Sequence, residues 1–270
     1  MGFHLTQVDA FTDQPFAGNP AAVVILPEPQ TDSWLQNVAR EMNLSETAFL
    51  LRQDDGFQLR WFTPTVEVPL CGHATLASAH ALWAEGYLAP TEEARFHTLS
   101  GVLTAKKQGD WIELNFPPKY AKLVEAPAAI AEALGVPFTS VSLTEPFAYV
   151  VEVESEEIVR SLQPNFALLR SLPAEGVIVT SRASTPGFDF VSRFFAPNLG
   201  INEDPVTGAA HCCLATYWSD RLGKSEFLAY QASERGGVLR VRYDGTGDRD
   251  QRRVCLSGQA VTVMRGELVL

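Results

Sequence analysis

Glu46, Cys71, His73 and Asp204 are the side chains in this 270-residue sequence whose types and neighbours suit proton or thiol chemistry. Two of them lie in Cys71-Gly72-His73-Ala74-Thr75, a stretch that occurs twice. An offset of 136 (208 minus 72) lays Pro69-Leu70-Cys71-Gly72 on Pro205-Val206-Thr207-Gly208, Glu67 on Glu203, and the small-residue run after Gly72 on Ala209-Ala210-His211-Cys212-Cys213. Upstream, Arg60-Trp61-Phe62-Thr63-Pro64 matches Arg193-Phe194-Phe195-Ala196-Pro197 at a slightly shorter offset. Each copy reads as an aromatic strand, a Pro-bearing loop, a Gly, and a helix of small residues.

A helix N-terminus exposes backbone N–H groups and about half a positive charge. Gly, Ala, Ser or Thr there lets an anion reach the amides, which makes Gly72, Ala74, Thr75, Gly208 and Ala209 candidate substrate contacts. Two such termini on one cleft form a paired clamp. One arm holds a substrate carboxylate, and the other stabilises negative charge that develops when a proton leaves carbon beside a carbonyl. The competing reading is that both glycines only permit tight packing of a buried helix; their recurrence with Pro and acidic neighbours favours a site.

Glu46 falls between a helix and an apolar strand. Half-buried there, its carboxyl would be pushed up by desolvation and suited to general acid/base work; the alternative is an exposed turn glutamate. His73 is a candidate proton donor or substrate contact, or else a packed histidine. Asp204, four residues before Gly208, either caps the second helix or orients a catalytic group. Opposed thiols exchange protons at a stereocentre, but the mate of Cys71 is Thr207, so two-thiol racemisation is not expected. A zinc set drawn from His73, His80, His211, Cys212 and Cys213 has poor spacing, and no metal is expected. The sequence has no GxGxxG, GxxxxGK[ST] or GxSxG motif, so nucleotide-binding and hydrolase readings have no anchor.

The elements that must position these residues follow from periodicity. Residues 3–11 alternate and 21–26 form an apolar run, two strands joined by a turn that carries Asn19, a further candidate substrate contact. A helix over 32–42 with Asp32 as N-cap precedes strands at 47–51 and 58–62. The helix from Gly72 is apolar nearly all round, hence buried on every side, and ends at Gly86. Strands at 94–98, 102–106 and 111–116 lead to Pro117-Pro118, a boundary. The second half has helices at 127–134 and from 156, strands near 141 and over 147–153, 177–180 and 188–195, and a buried helix from Gly208 to Gly223. Strands at 227–231, 238–243, 252–256 and 261–263 close it. The order is α+β without regular βαβ alternation. We expect two halves, 1–117 and 118–270, with the last strand free to pair back on the first half.

With 46% hydrophobic and 20% charged residues the chain is an ordinary globular protein. A net charge of -11 and the lack of a basic run argue against nucleic acid or an anionic membrane as partner. The sequence shows no signal-peptide pattern and no apolar run approaching ~18 residues. Its four cysteines lack CxxC spacing, consistent with reduced thiols in a cytoplasm.

Several ordered motifs resemble the phenazine-biosynthesis PhzF-like family, relatives of diaminopimelate epimerase. They are Val8-Asp9-Ala10-Phe11-Thr12, Phe16-Ala17-Gly18-Asn19-Pro20-Ala21-Ala22-Val23-Val24, Asn43-Leu44-Ser45-Glu46-Thr47-Ala48-Phe49, Arg60 to Pro64, Cys71 to Thr75 and Glu203 to Gly208. The resemblance implies two pseudo-symmetric α+β halves, each a curved sheet around a central helix, with the site in the cleft between them. It also implies cofactor-free isomerisation of a small acidic substrate, a homodimer, and Glu46 as the acid/base. His73, Asp204 and the amides near Gly72, Gly208 and Ala209 would match the substrate-binding set. Members often have Ser where this chain has Ala209, and the epimerases use two cysteines where only Cys71 remains. The alternative function is a small-molecule binding protein that keeps the clamp without turnover.

Overall fold

The structure, a computed structural model, describes residues 2–269. The outermost residues of the two expected halves, 1 and 270, lie outside that range. The chain forms two compact units: one runs to Phe116 and resumes at Ser257, and the other is Pro117–Leu256. The second unit therefore ends earlier than the expected 118–270 half, because the strand Ala260–Leu268 pairs antiparallel along the whole of Phe3–Ala10.

In the first unit Phe3–Ala10 also pairs antiparallel with Asn19–Leu26, which runs parallel to Glu46–Gln53. Gly56–Phe62 returns antiparallel beside that strand, and Ala94–Thr98, Gly101–Gln108 and Trp111–Phe116 extend the sheet as a meander. Residues 21–26 of Asn19–Leu26 read as an unbroken apolar run because both faces of the strand are covered. Its alternate residues Ala22, Val24 and Leu26 share a core with Leu35, Val38 and Ala39 of the helix Asp32–Met42. The central helix Gly72–Ala84 packs on the same strand. Ten of its thirteen residues are buried, so it has no solvent face for polar residues to occupy. The N-cap of Asp32–Met42 is Thr31, whose hydroxyl accepts from the Trp34 amide. Asp32, expected as the cap, sits instead in the first turn and pairs with Arg60 at 2.8 Å.

The second unit repeats the plan. Ala148–Glu152 runs parallel to Gly176–Arg182, which pairs antiparallel with Phe190–Ala196. The latter takes Glu226–Gln231 as a parallel neighbour, and Gly237–Asp244 follows antiparallel. The second central helix is Gly208–Leu222, closed at Gly223 in the left-handed conformation. A separate core gathers Ile130, Leu134, Val151, Val159, Leu169, Val179 and Phe195. The short helix Phe166–Leu169 and strand Ile201–Asp204 had no periodic signal, being only four residues each. No helix among the described residues is long and apolar enough to cross a membrane.

Candidate active site

Glu46 opens the strand Glu46–Gln53, where its backbone is in register with Ala21 and its side chain is 14% exposed. His73 is the second residue of the first central helix, with a side chain 4% exposed. Strand and helix bring Nε2 of His73 to 3.3 Å from Oε2 of Glu46, an approach outside hydrogen-bond alignment. On the other edge of the ring Nδ1 lies 3.0 Å from Nδ2 of Asn19 and 3.5 Å from Sγ of Cys71. Burial pushes His73 down to about 3, so the imidazole is neutral near pH 7.

The turn before Asn19 explains its placement. Gly18 has φ 65°, and a Cβ there would meet the Ala10 carbonyl oxygen at 2.2 Å, so the chain reverses at this point only with glycine. The buried Asp9 carboxylate accepts from the Phe16 amide at 2.8 Å and fixes the rest of the loop. Asn19 then heads its strand fully buried. Ala74 and Thr75 are also buried, and the Thr75 hydroxyl donates to the Cys71 carbonyl within the helix.

In the second unit Asp204 ends the strand Ile201–Asp204 and its Oδ2 accepts from the Thr207 hydroxyl at 2.5 Å. Gln231 ties the same turn: its Nε2 donates to the Asp204 carbonyl at 2.7 Å and its Oε1 accepts from the Thr207 amide at 2.8 Å. Asp204 thus anchors the N-cap residue of the second central helix, which begins at the buried Gly208 with Ala209 half-buried. Neither central helix has a side-chain cap, whereas Thr31 caps the helix Asp32–Met42. Uncapped N-termini keep amide donors and positive potential for other use.

The internal repeat is physical. Arg60 makes a two-pronged ion pair with Glu67, both contacts at 2.7 Å, and Arg193 does the same with Glu203 at 2.7 and 2.8 Å. Thr75 and His211 each donate to the carbonyl four residues back, that of Cys71 and Thr207 respectively. Strand register extends the match: Ala21 pairs with Glu46, and Ala148 with Gly176. The second copy therefore has Gly176, Thr207 and Ala209 where the first has Glu46, Cys71 and His73. At these three positions the titratable side chains belong to the first copy.

Among the described residues one His/Cys/carboxylate group has ligand atoms within 4.8 Å of one another, Glu46, Cys71 and His73. Sequence reasoning weighed a different set. His80 instead bonds to Thr262 at 3.0 Å, while burial pushes Cys212 and Cys213 up to about 12 and about 11. In this trio Cys71 approaches Nδ1 and Glu46 approaches Nε2. A ring held at both edges suits the custody of a proton.

A sequence model of the phenazine biosynthesis-like protein family matches residues 8–266. The chain belongs to this PhzF family. It is 52% identical over 264 residues to an uncharacterized isomerase of Halalkalibacterium halodurans, with 97% of each chain covered. A crystal structure of a PhzF-family phenazine biosynthesis protein from Enterococcus faecalis superposes with TM-score 0.93 at 38% identity, covering 100% of both chains. The fold extends to a probable proline racemase of Agrobacterium radiobacter, with TM-score 0.68 at 13% identity over 99% of this chain and 93% of that one. The PhzF-like chain is an isomerase of mixed α+β architecture, as the motifs implied.

Proposed function

We propose that this PhzF-like isomerase moves a proton between carbon positions of a small carboxylate-bearing substrate without a cofactor, with Glu46 as the single acid/base. The observation that carries the reading is the placement of the Glu46 carboxylate, largely buried and 3.3 Å from a neutral imidazole, at the uncapped start of a central helix. Glu46 takes the proton from carbon activated by a carboxylate or conjugated system. The helix amides stabilise the charge that develops, and Glu46 returns the proton at a second position. Single-base chemistry is supported by the second copy, where Gly176 offers no partner base and Thr207 no thiol. The reading assigns the amides at Gly208 and Ala209 to the substrate carboxylate, on the strength of the repeat, and Asp204 to holding that turn. We take the assembly to be a homodimer in the cytoplasm.

The test uses unsaturated and amino-substituted small carboxylic acids incubated with the protein in D2O. Wild type is expected to wash deuterium into at least one of them. Glu46→Gln keeps the shape and removes the base, and should lower the exchange rate about 100-fold or more. Exchange that persists at the wild-type rate in this variant would remove Glu46 from the mechanism. Binding of these acids with no exchange by wild type would mark a protein that holds small acids without turnover.

A further inference from the structure

Two groups face Nδ1 of His73, the Asn19 amide nitrogen at 3.0 Å and the Cys71 thiol at 3.5 Å. An amide nitrogen has only N–H bonds to offer, and a thiol donates through S–H, so Nδ1 is the acceptor. A neutral imidazole carries one proton, which must then sit on Nε2, the atom 3.3 Å from the Glu46 carboxylate. An N–H beside a carboxylate is favourable; beside a protonated carboxyl it is not, because two hydrogens then compete for one gap. We propose that Asn19 is a positioning residue: it holds His73 in the Nε2–H tautomer and so keeps Glu46 in the carboxylate form that accepts the first proton.

This rests on Glu46 being the acid/base, and an independent observation supports it. Register places Pro146, two residues before Ala148, where Asn19 stands two residues before Ala21. Asn19, Glu46 and His73 thus occur together in the first copy and are replaced together in the second, by Pro146, Gly176 and Ala209. Residues kept or lost as a set are expected of a working unit. The alternative is a substrate contact, as the sequence suggested for Asn19, and the two roles differ in what a substitution changes.

The experiment is a long-range 1H–15N correlation spectrum of the full-length protein labelled at its five histidines, with His73 assigned by a His73→Leu variant. The pattern of couplings from the ring nitrogens to the carbon-bound ring hydrogens reports which nitrogen is protonated. Wild type should show Nε2–H. Asn19→Asp puts an acceptor at Nδ1 and should switch His73 to Nδ1–H, while Asn19→Leu should release a mixture. On the acid that wild type exchanges fastest, Asn19→Asp should lower kcat about 10- to 100-fold with KM little changed. A wild-type Nδ1–H tautomer overturns the proposal without any variant. So does an Nε2–H tautomer unmoved in both variants, or an Asn19→Asp effect confined to KM. The spectra contain no substrate, so their outcome is independent of the Glu46→Gln result.

Discussion

Gly176 stands where a second Glu46 would be, and its surroundings show why no side chain is there. A Cβ would meet the Phe194 ring at 2.7 Å and the Phe195 carbonyl oxygen at 2.7 Å. Gly176→Ala should destabilise the protein by about 1–3 kcal/mol, the usual cost of overfilling a packed core, read as a lower urea midpoint. An unchanged midpoint would mean that the second copy could still accept a side chain at this position. The individual site residues were unevenly legible in the sequence. Glu46 and His73 lay in recognisable motifs, but nothing in their spacing showed that they approach each other. Asn19 was visible as a turn residue. Its contact with His73, 54 positions away, depends on two strands and a helix starting at one place, which no local pattern encodes.

At the scale of elements, the repeat was legible because it includes the ion pairs that brace each loop. Arg60 and Arg193 hold equivalent glutamates, yet they are not equally committed. Arg193 is 10% exposed and also donates to the Leu162 carbonyl at 2.8 Å, whereas Arg60 is 23% exposed and its further ion pair is with Asp32, itself 82% exposed. Lysine cannot reproduce the two-pronged fork or serve the carbonyl. Arg193→Lys should therefore cost about 2–3 kcal/mol and Arg60→Lys under about 1 kcal/mol, compared by urea unfolding. Equal losses would mean that burial does not set the difference. The strand and helix order was readable from periods of 2 and 3.6, and the two central helices from their small residues. The true cap at Thr31 was not, because Thr31 and Asp32 are both good capping types and only the backbone angle separates them.

For the whole molecule, buried histidines set the acid limit of stability. His73 is pushed down to about 3, and His80 and His211 to about 4, in each case chiefly by burial. The unfolded chain protonates them near 6.5 while the folded chain does not, so the unfolded state binds more protons in between. Stability is complete above about pH 6.5 and falls as pH drops toward 4, by roughly 1–2 kcal/mol per histidine between pH 7 and pH 5. Glu156 continues the loss below its usual range. Burial opposes its ionisation, but hydrogen bonds from Thr185, Arg160 and Ser184 outweigh that and lower it to about 2. Urea midpoints at pH 7 and pH 5 test this, and His211→Gln should shrink the difference by about a third. A flat profile would contradict it. The division into units was visible at Pro117-Pro118, but the return of the last strand was only allowed for, because a strand does not announce its partner. That return orders the molecule in time. On a ribosome Pro117–Leu256 has all its strands in hand while the sheet that carries Asn19 and Glu46 still lacks the strand that pairs with Phe3–Ala10. The unit made first is completed last, and its sheet closes only when Ala260–Leu268 has emerged.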